Sequence, residues 1–231
     1  MVVRLSGPSL PPQSGKAGQL VVLCHGYGSD GNDLIGLAPH WQRGLPDAAF
    51  VSPNAPERCQ MSPGGYQWFP ISRLDPAEIG KGVEAAAPTL NAFLDAELER
   101  RGLDGSRLVL VGFSQGTMMA LHVGLRRAVP PAAIIGFSGA LALPEKLATE
   151  ITGHPPVLLV HGDQDDMLPP SRMFEAIMAL GGAGLNVRWH LSHGVGHGID
   201  PDGLELGGRF IADAFRGAFR TATGGEPWPR P

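Results

Sequence analysis

The chain has 231 residues, a formal net charge of −4 and 43% hydrophobic residues. It is long enough to bury roughly 70% of the surface its unfolded form exposes, so a core can form without disulfides or a structural metal. The mildly acidic balance, with no basic stripe, argues against a nucleic-acid partner, and every apolar run stays short of the ~18 residues that suggest a membrane span.

The first eighteen residues, "MVVRLSGPSLPPQSGKAG", lack the basic start and long apolar stretch of a secretory signal. Their Pro, Gly and Ser content predicts a loosely held segment, as does that of the tail over 222–231. Cys24 and Cys59 are the only cysteines and have no ligand spacing around them, which reads as two free thiols in a reducing, cytoplasmic setting.

From residue 19 onward, short apolar runs alternate with amphipathic stretches. That is the pattern of a parallel sheet with crossover helices, an α/β fold with helices on both faces of the sheet. Strands are predicted over 19–25, 48–53, 107–113, 132–139, 156–162 and 186–192. Several are apolar at every position, which suits strands covered on both sides. Helices are predicted over 33–41, 76–101, 115–127, 170–180 and 203–219, with a kink or break in the second at Pro88. No repeat or linker divides the chain, so a single domain over 1–231 is expected.

One connection is unusually long. "PNAPERCQMSPGGYQWFPISRLD", residues 53–75, is too rich in Pro and Gly for regular structure, yet it carries Met61, Tyr66, Trp68, Phe69 and Ile71. Long loops in compact domains are commonly functional, and the apolar cluster argues against disorder. A loop that covers substrate is the expectation.

"LVLVGFSQGTMMAL" sets Gly112, Ser114 and Gly116 as GxSxG between a predicted strand and a predicted helix. A nucleophilic serine on a strained strand-to-helix turn needs this spacing, because the flanking glycines let strand and helix approach closely. The backbone N–H of Gln115 then opens the helix, where the dipole favours developing negative charge. The alternative is an ordinary capping serine at a Gly-lined strand end. Carboxylates follow a later strand in "PVLLVHGDQDDMLP" and histidines follow the next in "WHLSHGVGHGID". Nucleophile, acid and histidine thus occur in the chain order of an α/β-hydrolase.

These segments, with "LCHGYGSDGNDL" and "WFPI", resemble the phospholipase/carboxylesterase family of α/β-hydrolases, which includes the acyl-protein thioesterases. The resemblance extends over 19–219 and implies Ser114 as nucleophile, Asp165 as orienting carboxylate and His197 as general base. Asp166 stands where the family commonly has proline, so Asp163 and Asp166 remain competitors for Asp165, and His193 competes with His197. The resemblance also implies backbone donors at Tyr27 and Gln115 for the oxyanion. A dinucleotide reading of Gly26, Gly28 and Gly31 would require an acidic residue at the end of the next strand, and "AAFVSPNAP" has none.

No cofactor or metal is implied. The aspartates around His161 lack the glycine and terminal glutamate spacing of a calcium loop. The expected activity is hydrolysis of carboxylic esters of short to medium acyl length, with Trp68, Phe69, Ile71 and Leu168 lining the acyl site. Lysophospholipase and acyl-protein thioesterase activities are the alternatives within the family, and a non-catalytic ligand binder on the same fold is the alternative outside it. A homodimer is allowed by family analogy.

Overall fold

The computed structural model describes residues 4–219. Seven strands form one sheet: β1 (Ser9–Leu10), β2 (Gln19–Cys24), β3 (Ala48–Val51), β6 (Leu108–Phe113), β7 (Ala133–Phe137), β8 (Val157–Gly162) and β9 (Val187–Ser192). Between them lie α1 (Gly31–Ile35), α2 (Ala38–Gln42), a two-stranded ribbon of β4 (Glu57–Arg58) and β5 (Tyr66–Gln67), α3 (Pro76–Arg101), α4 (Gln115–Gly124), α5 (Leu147–Glu150), α6 (Ser171–Gly182) and α7 (Pro201–Phe215). The sheet order is β1-β3-β2-β6-β7-β8-β9, parallel throughout except for β1.

Alternation along the strands divides the core into two layers. Leu20, Val22, Leu108, Leu110, Ile134 and Leu159 face α3, α4 and α6, whereas Val21, Leu23, Val109, Val111, Ile135 and Val160 face α1, α2 and α7. Because neither face meets water, β6 and all of β2 after its first residue, Gln19, read as continuous apolar runs. On the second face Trp41 packs on Gly208 of α7 and donates Nε1–H to the Leu204 carbonyl at 2.8 Å, which joins α2 to α7.

All six predicted strands and all five predicted helical regions are present, with three corrections. The stretch over 33–41 is two short helices, because Pro39 cannot supply the N–H that would continue α1 into α2. By contrast, α3 runs unbroken through Pro88, held by Val83, Leu90 and Leu94 in the core. Its start is fixed by Asp75, whose carboxylate accepts from the N–H groups of Ala77 and Glu78, and its end by Gly102 at φ 65. Finally, the expected looseness of 1–18 does not extend to residues 5–18. Leu5 is buried, β1 pairs with β3, and Ser52 and Asn54 donate to the carbonyls of Pro8 and Ser6. The tail over 222–231 lies outside the described residues.

The parallel arrangement places the carboxyl ends of all strands of the sheet but β1 on one side. The chain runs outward in opposite directions from β2 and β6, so their carboxyl ends form the switch point at which open α/β sheets bind ligands. Among the described residues no helix is long and apolar enough to cross a membrane.

Behind this edge, His122 of α4 is buried with its Nδ1 lacking a hydrogen-bond partner among the described residues. Burial, reinforced by Arg126 and opposed by Glu84 and Glu150, lowers its pKa from 6.5 to about 4. Between those values the unfolded chain takes up a proton that the folded chain refuses, so stability falls as pH drops from about 6.5 to about 4. The thermal midpoint of His122→Leu, followed across this range, is expected to decline less steeply than that of the wild type.

Candidate functional site

Ser114 sits between β6 and α4 at φ 53 and ψ −116, in the left-handed half of the map that a side chain rarely occupies. The flanking glycines make the turn possible. A Cβ at Gly112 would stand 2.4 Å from the Gly116 and Thr117 backbone, and one at Gly116 would stand 1.8 Å from the Cys24 carbonyl oxygen. The Ser114 N–H donates to the Phe137 carbonyl at 2.9 Å, and its own carbonyl accepts from Thr117 and Met118. Gln115 is the first residue of α4, so its backbone N–H has no intrahelical acceptor.

The loop after β2 reaches the same place from the adjacent strand. A Cβ at Gly26 would stand 3.4 Å from Ser114 Cβ, so this backbone passes directly beside the serine. His25 is fully buried; its Nε2 accepts from the Ala55 N–H at 2.9 Å, which requires the proton on Nδ1, and Nδ1 donates to the Gly26 carbonyl at 2.8 Å. Burial holds the imidazole below its ordinary pKa and favours this neutral tautomer. Since the Gly26–Tyr27 peptide is trans, a carbonyl turned toward His25 turns the Tyr27 N–H the opposite way. The loop's next two amides are engaged, Gly28 with the Tyr66 carbonyl and Ser29 with that of Gly26.

Asp165 follows β8 and His197 follows β9. Asp165 Oδ2 accepts from His197 Nδ1 at 2.8 Å, which leaves Nε2 of the imidazole as the basic nitrogen. The other oxygen, Oδ1, accepts from the N–H groups of Met167 and Leu168 at 3.0 and 2.8 Å. Buried His161 completes the surroundings. Its Nε2 lies 2.7 Å from the Leu168 carbonyl and 3.2 Å from Asp165 Oδ2; both are acceptors, so this nitrogen carries a proton. The Phe113 ring lies 4.9 Å from the His197 ring, which sets the imidazole next to the residue preceding Ser114.

The competing residues have other surroundings. Asp163 accepts from His193 Nδ1 and the Gly194 N–H at the surface, where these contacts hold its carboxyl below its usual range against the cost of desolvation; Asp166 is exposed. The aspartates near His161 therefore do not converge on one point. Burial pushes the Cys24 thiol up to about 12, which keeps it protonated and inert beside the loop.

Two of the four residues expected to line the acyl site are part of the scaffold. Trp68 and Phe69 are buried, with the Trp68 N–H donating to Gln115 Oε1 at 2.9 Å, the Phe69 carbonyl accepting from Gln115 Nε2 at 2.8 Å, and Trp68 Nε1 donating to the His25 carbonyl. The side chain of Gln115 thus clamps the long loop onto the turn that carries Ser114. Ile71 is half-buried against the core, outside the cavity described next. Leu168 lines that cavity, a space of about 560 Å³ between α3, the segment after β7 and the start of α6. Leu74, Ile79, Leu141 and Leu143 share its lining and were not anticipated. A readable signal existed in "SGALALPEK", an apolar segment broken by Gly and Pro directly after a strand.

Comparisons with known proteins agree with the fold. The profile of the phospholipase/carboxylesterase family matches residues 7–214. Acyl-protein thioesterase 1 of Gibberella zeae is 27% identical over 215 residues, covering 86% of this chain and 91% of the relative. Esterase YpfH of Escherichia coli K12 is 32% identical over 204 residues, covering 87% and 83%. The crystal structure of esterase PE8 superposes with a TM-score of 0.89 at 48% identity, covering 92% of this chain and all of that one.

The Gln115 clamp is testable by stability alone. Gln115→Leu leaves a buried N–H and a buried carbonyl of the long loop unpaired, and should lower the unfolding free energy in urea by about 2 kcal/mol or more.

Proposed function

The chain belongs to the phospholipase/carboxylesterase family, whose members are hydrolases acting on esters, and from that premise we propose that it cleaves carboxylic esters of short to medium acyl length through Ser114. The observation that carries the reading is the strained Ser114 turn at the carboxyl edge of the same sheet that presents the Asp165–His197 pair.

His197 Nε2 takes the hydroxyl proton as Ser114 Oγ attacks the ester carbonyl, and Asp165 holds the tautomer and stabilises the imidazolium. The tetrahedral oxyanion accepts from the backbone N–H groups of Tyr27 and Gln115, and loss of one such donor in comparable sites costs about 3 kcal/mol. Collapse expels the alcohol, which receives its proton from His197. Water then attacks the acyl-enzyme with His197 again as base, releasing the acid and restoring Ser114. Apart from the attacking water, every step uses groups of the chain itself.

A thioester substrate passes through the same steps, and the name of the Gibberella zeae relative favours considering one. The cavity, with Leu74, Ile79, Leu141, Leu143 and Leu168 in its lining, suits an acyl group and does not distinguish an alcohol from a thiol leaving group.

Hydrolysis of p-nitrophenyl esters from acetate to palmitate tests the reading. Ser114→Ala should lose about 10⁶-fold in kcat and Asp165→Asn about 10⁴-fold, while the wild type favours the shorter esters. Retention of turnover in Ser114→Ala would exclude Ser114 as nucleophile. Failure of a fluorophosphonate to label Ser114 in the wild type would instead point to a ligand binder on a hydrolase fold.

A further inference from the structure

We infer that Leu143, seated on Gly80 of α3, is the wall that limits the acyl length the site accepts; the inference rests on the ester-hydrolase reading above. Leu143 and Leu168 both line the 560 Å³ cavity. Leu168 is in turn bonded through its N–H to Asp165, so the cavity begins one hydrogen bond from the proposed triad. Ala140, also in the lining, follows Gly139, where a Cβ would stand 2.3 Å from Thr117 Cβ, three residues past Ser114. The segment that ends in Leu143 therefore runs from beside Thr117 of the helix that Ser114 opens to the wall of the cavity.

Leu143 is held there at a conformational cost. Its backbone lies at φ 52 and ψ 52, a left-handed conformation that leucine seldom adopts. It also precedes Pro144, and residues before proline favour extended geometry. Non-glycine residues in this region cluster at ligand clamps, and the other two among the described residues, Ser114 and Ser138, both lie at the site.

Two contacts hold the turn. The Leu143 carbonyl accepts from the Lys146 N–H at 3.1 Å, and Lys146 Nζ pairs with Glu84 one helical turn beyond Gly80. The glycine is what admits the side chain, since a Cβ at Gly80 would stand 2.5 Å from Leu143 Cδ2 and 3.2 Å from Cγ. Gly80 itself is absent from the cavity lining, so Leu143 stands between it and the space.

The geometry gives two substitutions with opposite effects. Leu143→Gly removes the wall and adopts φ 52 without strain, opening the seat on α3 to the cavity. Gly80→Ala fills the seat and displaces Leu143 into the cavity. Leu143→Met, close in volume, keeps the wall.

The test is kcat/KM for p-nitrophenyl esters from acetate to palmitate in the wild type and these variants, each checked for folding by circular dichroism and thermal midpoint, with Ser114→Ala as control. Leu143→Gly should raise the long-to-short ester ratio about tenfold or more, the discrimination hydrophobic pockets attach to small changes in fit. Gly80→Ala should lower the ratio, and Leu143→Met should leave it near the wild-type value. If Ser114→Ala is inactive while Leu143→Gly and Gly80→Ala keep the wild-type ratio or move it the same way, this inference fails and the hydrolase reading stands. If Ser114→Ala retains wild-type activity, the reading beneath it fails. Should one of the two variants not fold, the direction of the other against Leu143→Met decides.

Discussion

The site depends on the distance between α4 and the carboxyl end of β2. At Gly116 the helix backbone passes so close to Cys24 that a Cβ would stand 1.8 Å from its carbonyl oxygen. A helix that starts this near the sheet cannot be reached from β6 by an ordinary turn, and Ser114 takes the positive φ that closes the gap. Such a residue costs of order 1–3 kcal/mol. That cost is offset by the hydrogen bond from Ser114 to Phe137 and by α4 itself, which is buried over all ten of its residues. The same close approach brings the free N–H of Gln115 beside the loop that carries Tyr27. Strain at one residue and juxtaposition of two loops are thus one geometric fact.

The acid and histidine are positioned by the same kind of backbone contact. A Cβ at Gly162, the last residue of β8, would stand 2.2 Å from the Val195 carbonyl oxygen, so the loop bearing His197 lies directly on the strand that leads to Asp165. Four donors surround the buried Asp165 carboxylate, and a charge so enclosed is tolerable because each oxygen is bonded twice. His161 therefore belongs to the chemistry's support, fixing both the carboxylate and the Leu168 carbonyl. The Asp163–His193 pair joins the same two loops at the surface, where solvent weakens such pairs.

The sheet was legible in the sequence because strands covered on both faces must be apolar throughout, and "QLVVLC" and "LVLVGF" have no other plausible placement. Ser114 was legible because its turn needs glycines at fixed offsets. What escaped was set by long-range contacts. β1 is two residues long and exists through pairing with β3, which no local pattern in "GPSLPP" announces. The continuity of α3 through Pro88 is decided by the core around it. Trp68 and Phe69 read as ligand-facing because aromatics in a Pro/Gly-rich loop often are. Their burial follows from the Gln115 amide, whose partners lie 46 and 47 residues away in the chain.

The burial of Trp68 and Phe69 separates two kinds of information. The residues proposed to perform the chemistry sit at strand ends, where backbone geometry dictates glycines at fixed spacing, and spacing is visible in one dimension. Residues that bound the cavity come from α3, from the segment after β7 and from the approach to α6. No spacing links these segments, because their meeting is set by how α3 packs on α4. Leu143 and Gly80 are 63 positions apart and become a matched pair only because α3 crosses the segment after β7 at a residue lacking a side chain. If Leu143 sets the acyl length as proposed, selectivity is a property of helix packing and changes through substitutions that leave every strand-end motif intact.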